Sequence, residues 1–276
     1  MKFHHIKVEV NSDNKPSSFI GSTLRGTFGY VLKNNVCIEP SYDCQRCIHK
    51  KSCLYYNYYE SSSGFKKFRF DVRLKATNYD FRFYIYEDGT NIIRTILKTL
   101  YDVLHLNKIT DKNLSFPKST IFLNNNKILF DQRGTLLPFQ LNTQTIFIEK
   151  YYKDIEIELL TPILLKEANS KFKRKILLDD MLTSIYKRKY FFENGKEVHK
   201  LDYTPEYKLI ADDLEEIKTR RRSDRQNKVI ELEGMVGRFV IMDLDAKSYE
   251  LLKWGEIIAV GNKTVFGYGI IKIKTK

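Results

Sequence analysis

Along residues 153–273 the spacing of apolar residues switches repeatedly between a period of two and a period near 3.6. That order of periods limits the folds open to the chain more than any other feature. Lys153–Leu160 alternates and is predicted as a strand, closed by Pro162. Ser170–Phe192 has helical spacing, with Phe172, Ile176, Leu177, Met181, Leu182 and Ile185 on one face. Asn194 and Gly195 end it. Tyr207–Thr219 and Val229–Met242 read as two long strands joined through an arginine-rich segment. Asp245–Trp254 reads as a short helix, with Asp243 or Asp245 as N-cap and Gly255 beyond its end. Glu256–Val260, a glycine-rich loop at 261–269 and a final strand, Gly269–Ile273, complete the order. Strand, helix, strand, strand, helix, strand is the ferredoxin-like arrangement.

The first half repeats that order more loosely. Phe3–Val10 alternates as a strand, and Ser17 or Ser18 can cap a helix running to about Leu32. Lys67–Leu74 and Asp80–Glu87 read as paired strands, followed by an amphipathic helix over Thr90–Leu106. Pro117–Leu123 and Lys127–Phe130 form a hairpin around Asn124–Asn126. The expectation is an α+β chain of two tandem ferredoxin-like (βαββαβ) domains, 1–148 and 149–276, the first carrying a cysteine-rich, metal-binding insertion at about 36–60.

All four cysteines fall within that insertion, as Cys37, Cys44, Cys47 and Cys53. The central pair, two residues apart, lets two thiolates approach one ion from a tight turn, and the flanking pair completes a tetrahedral set. A structural zinc site is the reading, since four thiolates leave no open coordination position for chemistry. An iron–sulfur cluster would use the same ligands; free thiols or disulfides are the remaining readings, the disulfide disfavoured in a cytosolic compartment.

Charge says what such a chain meets. Its 276 residues carry 47 Lys and Arg against 34 Asp and Glu, a net charge of +13. That balance predicts an acidic partner, most often nucleic acid, with a merely basic soluble protein as the plainer alternative. The excess is concentrated twice: residues 44–75 are net +6 and residues 217–228 net +5. Eighteen Tyr and eighteen Phe accompany it, the mix that stacks on unpaired bases as well as filling cores. No apolar run approaches the ~20 residues of a membrane helix. The N-terminus lacks a signal-peptide core, so a cytoplasmic location is expected. The loop at 261–269 lacks the lysine–serine ending of a nucleotide-binding P-loop. It is either a turn entering the last strand, or a place where the backbone at Gly261, Gly267 and Gly269 approaches an RNA phosphate with Lys263 beside it.

Several of these segments together resemble a known family. RRRSDRQNKVIELEGMVGRFVI (220–241) and LLKWGEIIAVGNKTVFGYGIIKI (251–273) are similar to the C-terminal domain of the CRISPR repeat-processing endoribonucleases of the RAMP superfamily. So are LLTPILLK (159–166) and FKRKILLDDMLTSIYKR (172–188). LRGTFGYVLKNNVC (24–37), with the cysteine pattern after it, resembles the Cys-bearing branch of that family. The glycine loop is shared across RAMP proteins, whereas the block from Arg221 to Gly237 is closer to the processing branch.

The resemblance implies two ferredoxin-like domains and, as substrate, the repeat RNA of a CRISPR precursor transcript. It implies cleavage without a catalytic metal. The ribose 2′-OH attacks the adjacent phosphate, leaving 2′,3′-cyclic phosphate and 5′-OH ends. Other subunits of an effector complex and a homodimer are possible partners. The alternative is a non-catalytic RAMP subunit that binds RNA without cutting it.

That chemistry needs a base, an acid and a cation for the developing charge. The histidines are His4, His5, His49, His105 and His199. In related enzymes the catalytic histidine lies in or after the first helix with Tyr and Lys nearby, and by order His49, Tyr30, Lys50 and Lys51 take those places. His49 also has two plainer readings, an exposed loop residue or a metal ligand in place of one cysteine; Tyr30 can simply be core. Arg25 on the first helix, and Arg220, Arg222 and Arg225 in the second half, are the RNA-phosphate candidates. Strand alternation means the arginines cannot all face one way, so Arg221 is left to a structural ion pair.

Overall fold

The computed structural model describes residues 1–16, 19–61, 64–86, 89–105, 115–167, 172–223 and 228–275, with backbone only at 221–223 and 228–230. The chain divides into two compact units. One comprises Lys2–Val72 and Ala76–Gln144; the other comprises Thr145–Lys276 with Met1 and Arg73–Lys75.

The first unit runs β1 (His4–Val10), α1 (Gly21–Val36), β2 (Phe68–Asp71), β3 (Phe81–Ile85), α2 (Thr90–His105), β4 (Ser119–Leu123) and β5 (Asn126–Ile128). Its sheet has the order β2-β3-β1-β4-β5, and every neighbouring pair is antiparallel. The first four strands and two helices are the ferredoxin-like fold. β1 forms because its apolar residues alternate: Ile6 and Val8 are fully buried, while Lys7 and Glu9 stand partly exposed. α2 places Ile93, Ile96, Leu97, Leu100 and Val103 on its buried side. Phe28 of α1 lies among Phe68, Phe70 and Phe83, with ring centroids 5.8, 5.8 and 5.0 Å away. Asn124 and Asn125 both take positive φ, as a two-residue type I′ hairpin turn requires.

The second unit runs β6 (Ile155–Ile163), α3 (Leu178–Asn194), β7 (Lys208–Ser223), β8 (Lys228–Met242), α4 (Ala246–Ile258) and β9 (Ile271–Thr275). Its sheet order, β7-β8-β6-β9, is the same arrangement again. Ile155, Ile157, Met181, Leu182, Ile185, Phe239, Ile241 and Leu252 form a fully buried core.

Several boundaries differ from expectation, each for a local reason. α1 begins at Gly21 with Ile20 as its N-cap and no side-chain cap; Ser17 and Ser18 lie outside the described residues. It runs one turn past Leu32, where Asn35 Nδ2 donates to Asp102 Oδ2 of α2 at 3.0 Å. α3 starts at Leu178, not near residue 170. Phe172 bridges Lys166 in extended conformation, and the Asp180 carboxylate accepts from Leu177 N–H at 2.9 Å. α4 does not stop before Gly255 but runs to Ile258. Burying Ile258 completely outweighs the ~1 kcal/mol a glycine costs in a helix interior. β5 ends at Ile128, and Phe130 makes an isolated bridge to Leu136 instead.

Candidate nucleic-acid interface

In the second unit the glycine loop joins α4 to β9. Gly269 has φ +77°, and a Cβ there would stand 1.8 Å from the Val260 carbonyl oxygen, so no other residue fits without backbone movement. The loop is fastened from below by α3. Arg188, 4% exposed, donates to the carbonyls of Ile258 (2.8 Å), Ala259 and Gly261. Ser184 Oγ accepts from Gly261 N–H at 2.8 Å. Gly267 N–H donates to Thr264 O and Gly269 N–H to Pro162 O. The amides of Gly261, Gly267 and Gly269 therefore all donate to partners inside the unit, which leaves Lys263 to carry any phosphate contact of this loop. The glycines shape the loop, and Lys263, exposed and with φ +62°, carries its charge at the rim.

β7 and β8 form a ribbon that outruns the rest of the sheet. β6 last pairs with β8 at Ile163 and Met235. Beyond that point, among the described residues, Ile217–Ser223 pairs with Lys228–Gly234 alone. The glycine loop supports the base of this ribbon: the Tyr268 hydroxyl reaches Thr219 Oγ1 and the Leu232 carbonyl. Lys218 stands opposite Glu233 and Arg220 opposite Glu231, giving ion pairs of 3.6 and 3.0 Å. Arg220 is thus paired across the strand, not presented alone. Arg222 lies opposite Val229 in the backbone register; its side chain, and the whole of Arg225, lie outside the described residues. The sequence shows Glu231 and Glu233 but not that register places them against the basic residues.

In the first unit, α1 and the segment after it carry the other candidates. Tyr30 is 64% exposed, which removes the core reading. Arg25 does not point freely outward. Its guanidinium lies 4.3 Å over the Tyr59 ring and donates to the Tyr59 hydroxyl at 3.0 Å, and that hydroxyl donates to the Arg25 carbonyl. Gly29 makes this packing possible, because a Cβ would fall 2.1 Å from Tyr59. Nearby Lys66, half-buried, has its ammonium pKa pushed down by burial and by the Arg25 charge, with Glu60 opposing. Sequence reasoning did not single out Lys66; it is one of many lysines until the fold buries it beside an arginine.

His49 sits in an exposed turn whose carbonyl accepts from Ser52 N–H and Oγ. Among the described residues its ring makes no hydrogen bond. Lys50 reaches the Gln45 carbonyl at 3.5 Å, and Lys51 is exposed. Cys37, Cys44, Cys47 and Cys53 line one cavity together with Lys50, Tyr42 and Tyr55. None forms a disulfide. Burial pushes the Cys44 thiol pKa up, with the Lys33 ammonium working against it. Among the described residues, no three His, Cys, Asp or Glu side chains are drawn close enough to hold a metal as they stand. Of the other histidines, His4 is buried, His5 contacts Gln144 and Asn125, His105 stacks on Tyr101, and His199 is exposed.

Residues 1–77 match the model of the AF_1859 N-terminal domain, and residues 155–273 that of the AF_1859 C-terminal domain. An Archaeoglobus fulgidus protein described as uncharacterized is 24% identical over 291 residues, spanning 93% of this chain and 92% of that one. Among solved structures, a Thermus thermophilus Cas6 product complex covers 99% of this chain and 100% of its own, with a TM-score of 0.59 at 14% identity. The fold is that of Cas6. A second Cas6 product complex has a TM-score of 0.54 at 15% identity, covering 100% of both chains. A Cas6 substrate mimic complex has a TM-score of 0.52 at 15% identity, covering 99% of this chain and 100% of its own. The Cas6-like fold thus extends through both units, including residues 78–154 that lie between the two domain models. Among the described residues no helix is long and apolar enough to cross a membrane.

Proposed function

We propose that this chain binds the repeat RNA of CRISPR precursor transcripts and cuts within it. The observation that carries the reading is the whole-length correspondence of both units to Cas6 product complexes. The chain's net charge of +13 and the net +5 of residues 217–228 agree with it. In the proposed reaction His49 takes the proton of the ribose 2′-OH, whose oxygen attacks the adjacent phosphorus. The P–O5′ bond breaks and the departing 5′-oxygen takes a proton from solvent water, while His49 returns its proton to solvent. Lys50 and Lys51 offset the charge that builds on the phosphoryl oxygens, and Tyr30 orients the RNA. No catalytic metal enters these steps. Cytoplasmic RNA, with a second copy of the chain or other effector subunits, is the proposed setting.

The test is cleavage of a labelled cognate repeat RNA in EDTA. Wild type should give one cut with a 2′,3′-cyclic phosphate and a 5′-OH. His49→Ala should lose about 10²–10⁴-fold in rate, the usual contribution of a general acid–base group, while keeping its affinity. Cutting that survives the substitution moves the base elsewhere, to His199 or His5 first. A second reading is a RAMP subunit that binds RNA without cutting, favoured by the exposed, unsupported ring of His49. Tight binding with no cut by wild type would establish that reading.

The ribbon makes a separate prediction about affinity. Glu231 and Glu233 neutralise Arg220 and Lys218 and repel phosphate. The Glu231→Gln, Glu233→Gln double variant should bind repeat RNA roughly three- to tenfold more tightly at low salt, a gain that fades as salt screens it. Lys218→Ala with Arg220→Ala should weaken binding and flatten the salt dependence. Equal affinities across wild type and both variants, by filter binding over a salt series, would remove the ribbon from the interface.

A further inference from the structure

The segment from Cys37 to Cys53 is built inside out. Its large apolar residues face solvent: Ile38 is 73% exposed, Tyr42 50% and Ile48 84%. Its four cysteines instead line one shared cavity. Its backbone bonds are short-range ones, such as Tyr42 N–H to Glu39 O, Lys50 N–H to Cys47 O and Ser52 N–H to His49 O. A short segment without an apolar core needs a staple, and the standard ones are disulfides or a metal. The cysteines are unpaired.

We infer that Cys37, Cys44, Cys47 and Cys53 bind one Zn²⁺ as a structural tetrathiolate centre, which supplies the core this segment lacks. The chain is already bent around the cavity. Cys37 follows the last turn of α1, Cys44 opens a turn, Cys47 lies between two turns and Cys53 follows the second. As they stand the sulfurs are not gathered tightly enough for an ion, so binding requires the four side chains to turn inward toward the ~2.3 Å Zn–S distance. Each thiol releases its proton on binding. Zinc is favoured over a hard cation because the donors are all sulfur, and a d¹⁰ ion accepts the tetrahedral geometry four sulfurs impose. The position also matters. Lys33, from the last turn of α1, donates to the Tyr42 carbonyl at 2.8 Å and lies over the Tyr42 and Tyr55 rings, so fixing this segment fixes it onto α1. His49–Lys51 is held between Cys47 and Cys53, and the metal would set its geometry.

The test uses the full chain and needs no RNA. Elemental analysis of protein purified without chelator should give one zinc per chain. The four thiols should resist Ellman's reagent until the protein is denatured in EDTA. Cobalt substituted for zinc should give the visible bands and thiolate charge-transfer absorption of a four-sulfur site, unchanged in His49→Ala. Zinc-free protein whose four thiols react freely even after zinc is supplied would overturn the assignment. So would iron with acid-labile sulfide, or a cobalt spectrum that loses a nitrogen ligand in His49→Ala. Because the readouts are metal content and spectra, they stand whether or not the RNA reading holds.

Discussion

Arg188→Met will lower the melting temperature of the second unit by roughly 10–20 °C, the shift expected for about 3–5 kcal/mol in a domain of this size. The groups left behind set the size of the loss. Arg188 donates to the carbonyls of Ile258, Ala259 and Gly261, at a site only 4% exposed. Methionine fills much of the same space but donates nothing. Each buried carbonyl left unsatisfied costs on the order of 1–3 kcal/mol. Water entering the cavity recovers part of this, which holds the sum near the lower figure. Lysine is not a conservative rescue, because a single ammonium cannot reproduce the fork of a guanidinium. Calorimetry gives the melting shift, and hydrogen exchange should show amides of 258–269 losing protection first. A shift below a few degrees would mean the loop holds its shape without Arg188.

Phe28→Ala should destabilise the first unit by about 3–5 kcal/mol, the range for emptying a large core position. Phe28 is 1% exposed, and its ring centroid lies within 6 Å of those of Phe68, Phe70 and Phe83. The truncation opens a cavity that β2 and β3 cannot collapse into, because both are fixed by the sheet. Lost ring–ring contacts add about 0.5–1.5 kcal/mol per pair beyond the area term. Denaturant unfolding should show the midpoint fall with the slope unchanged. Phe28→Leu should recover most of the loss, since a core tolerates a hydrophobic replacement that keeps most of the volume.

How far the sequence anticipated this depends on how local the deciding physics was. The second unit was legible because each element announces itself within a few residues. The alternation of β6, the Asp245 cap that accepts from Ser248 N–H at 2.8 Å and Gly195 closing α3 are all nearest-neighbour events. Gly255 misled because glycine's local cost is visible in sequence while the burial of Ile258 is not. The candidate site was less legible for the same reason. That Arg25 would lie over Tyr59 is a contact across 34 residues, and that Arg220 would face Glu231 depends on strand register. Arg188 shows nothing in sequence to separate it from Lys187 and Lys189. Only the fold turns one of three adjacent cations inward.

Among the described residues β7 ends its sheet, with a neighbour on one side only. A long terminal strand leaves a row of backbone donors and acceptors that another chain can extend. Leu209 and Ile210, 42% and 56% exposed, add stickiness to that row. Against them stand Asp212, Asp213, Glu215, Glu216, Lys218 and Arg220 on the same strand. This density of charge works as a guard against edge-to-edge aggregation, independently of any RNA. The same side chains that would tune nucleic-acid affinity therefore also keep the protein from polymerising, so variants that neutralise many of them at once trade solubility for grip.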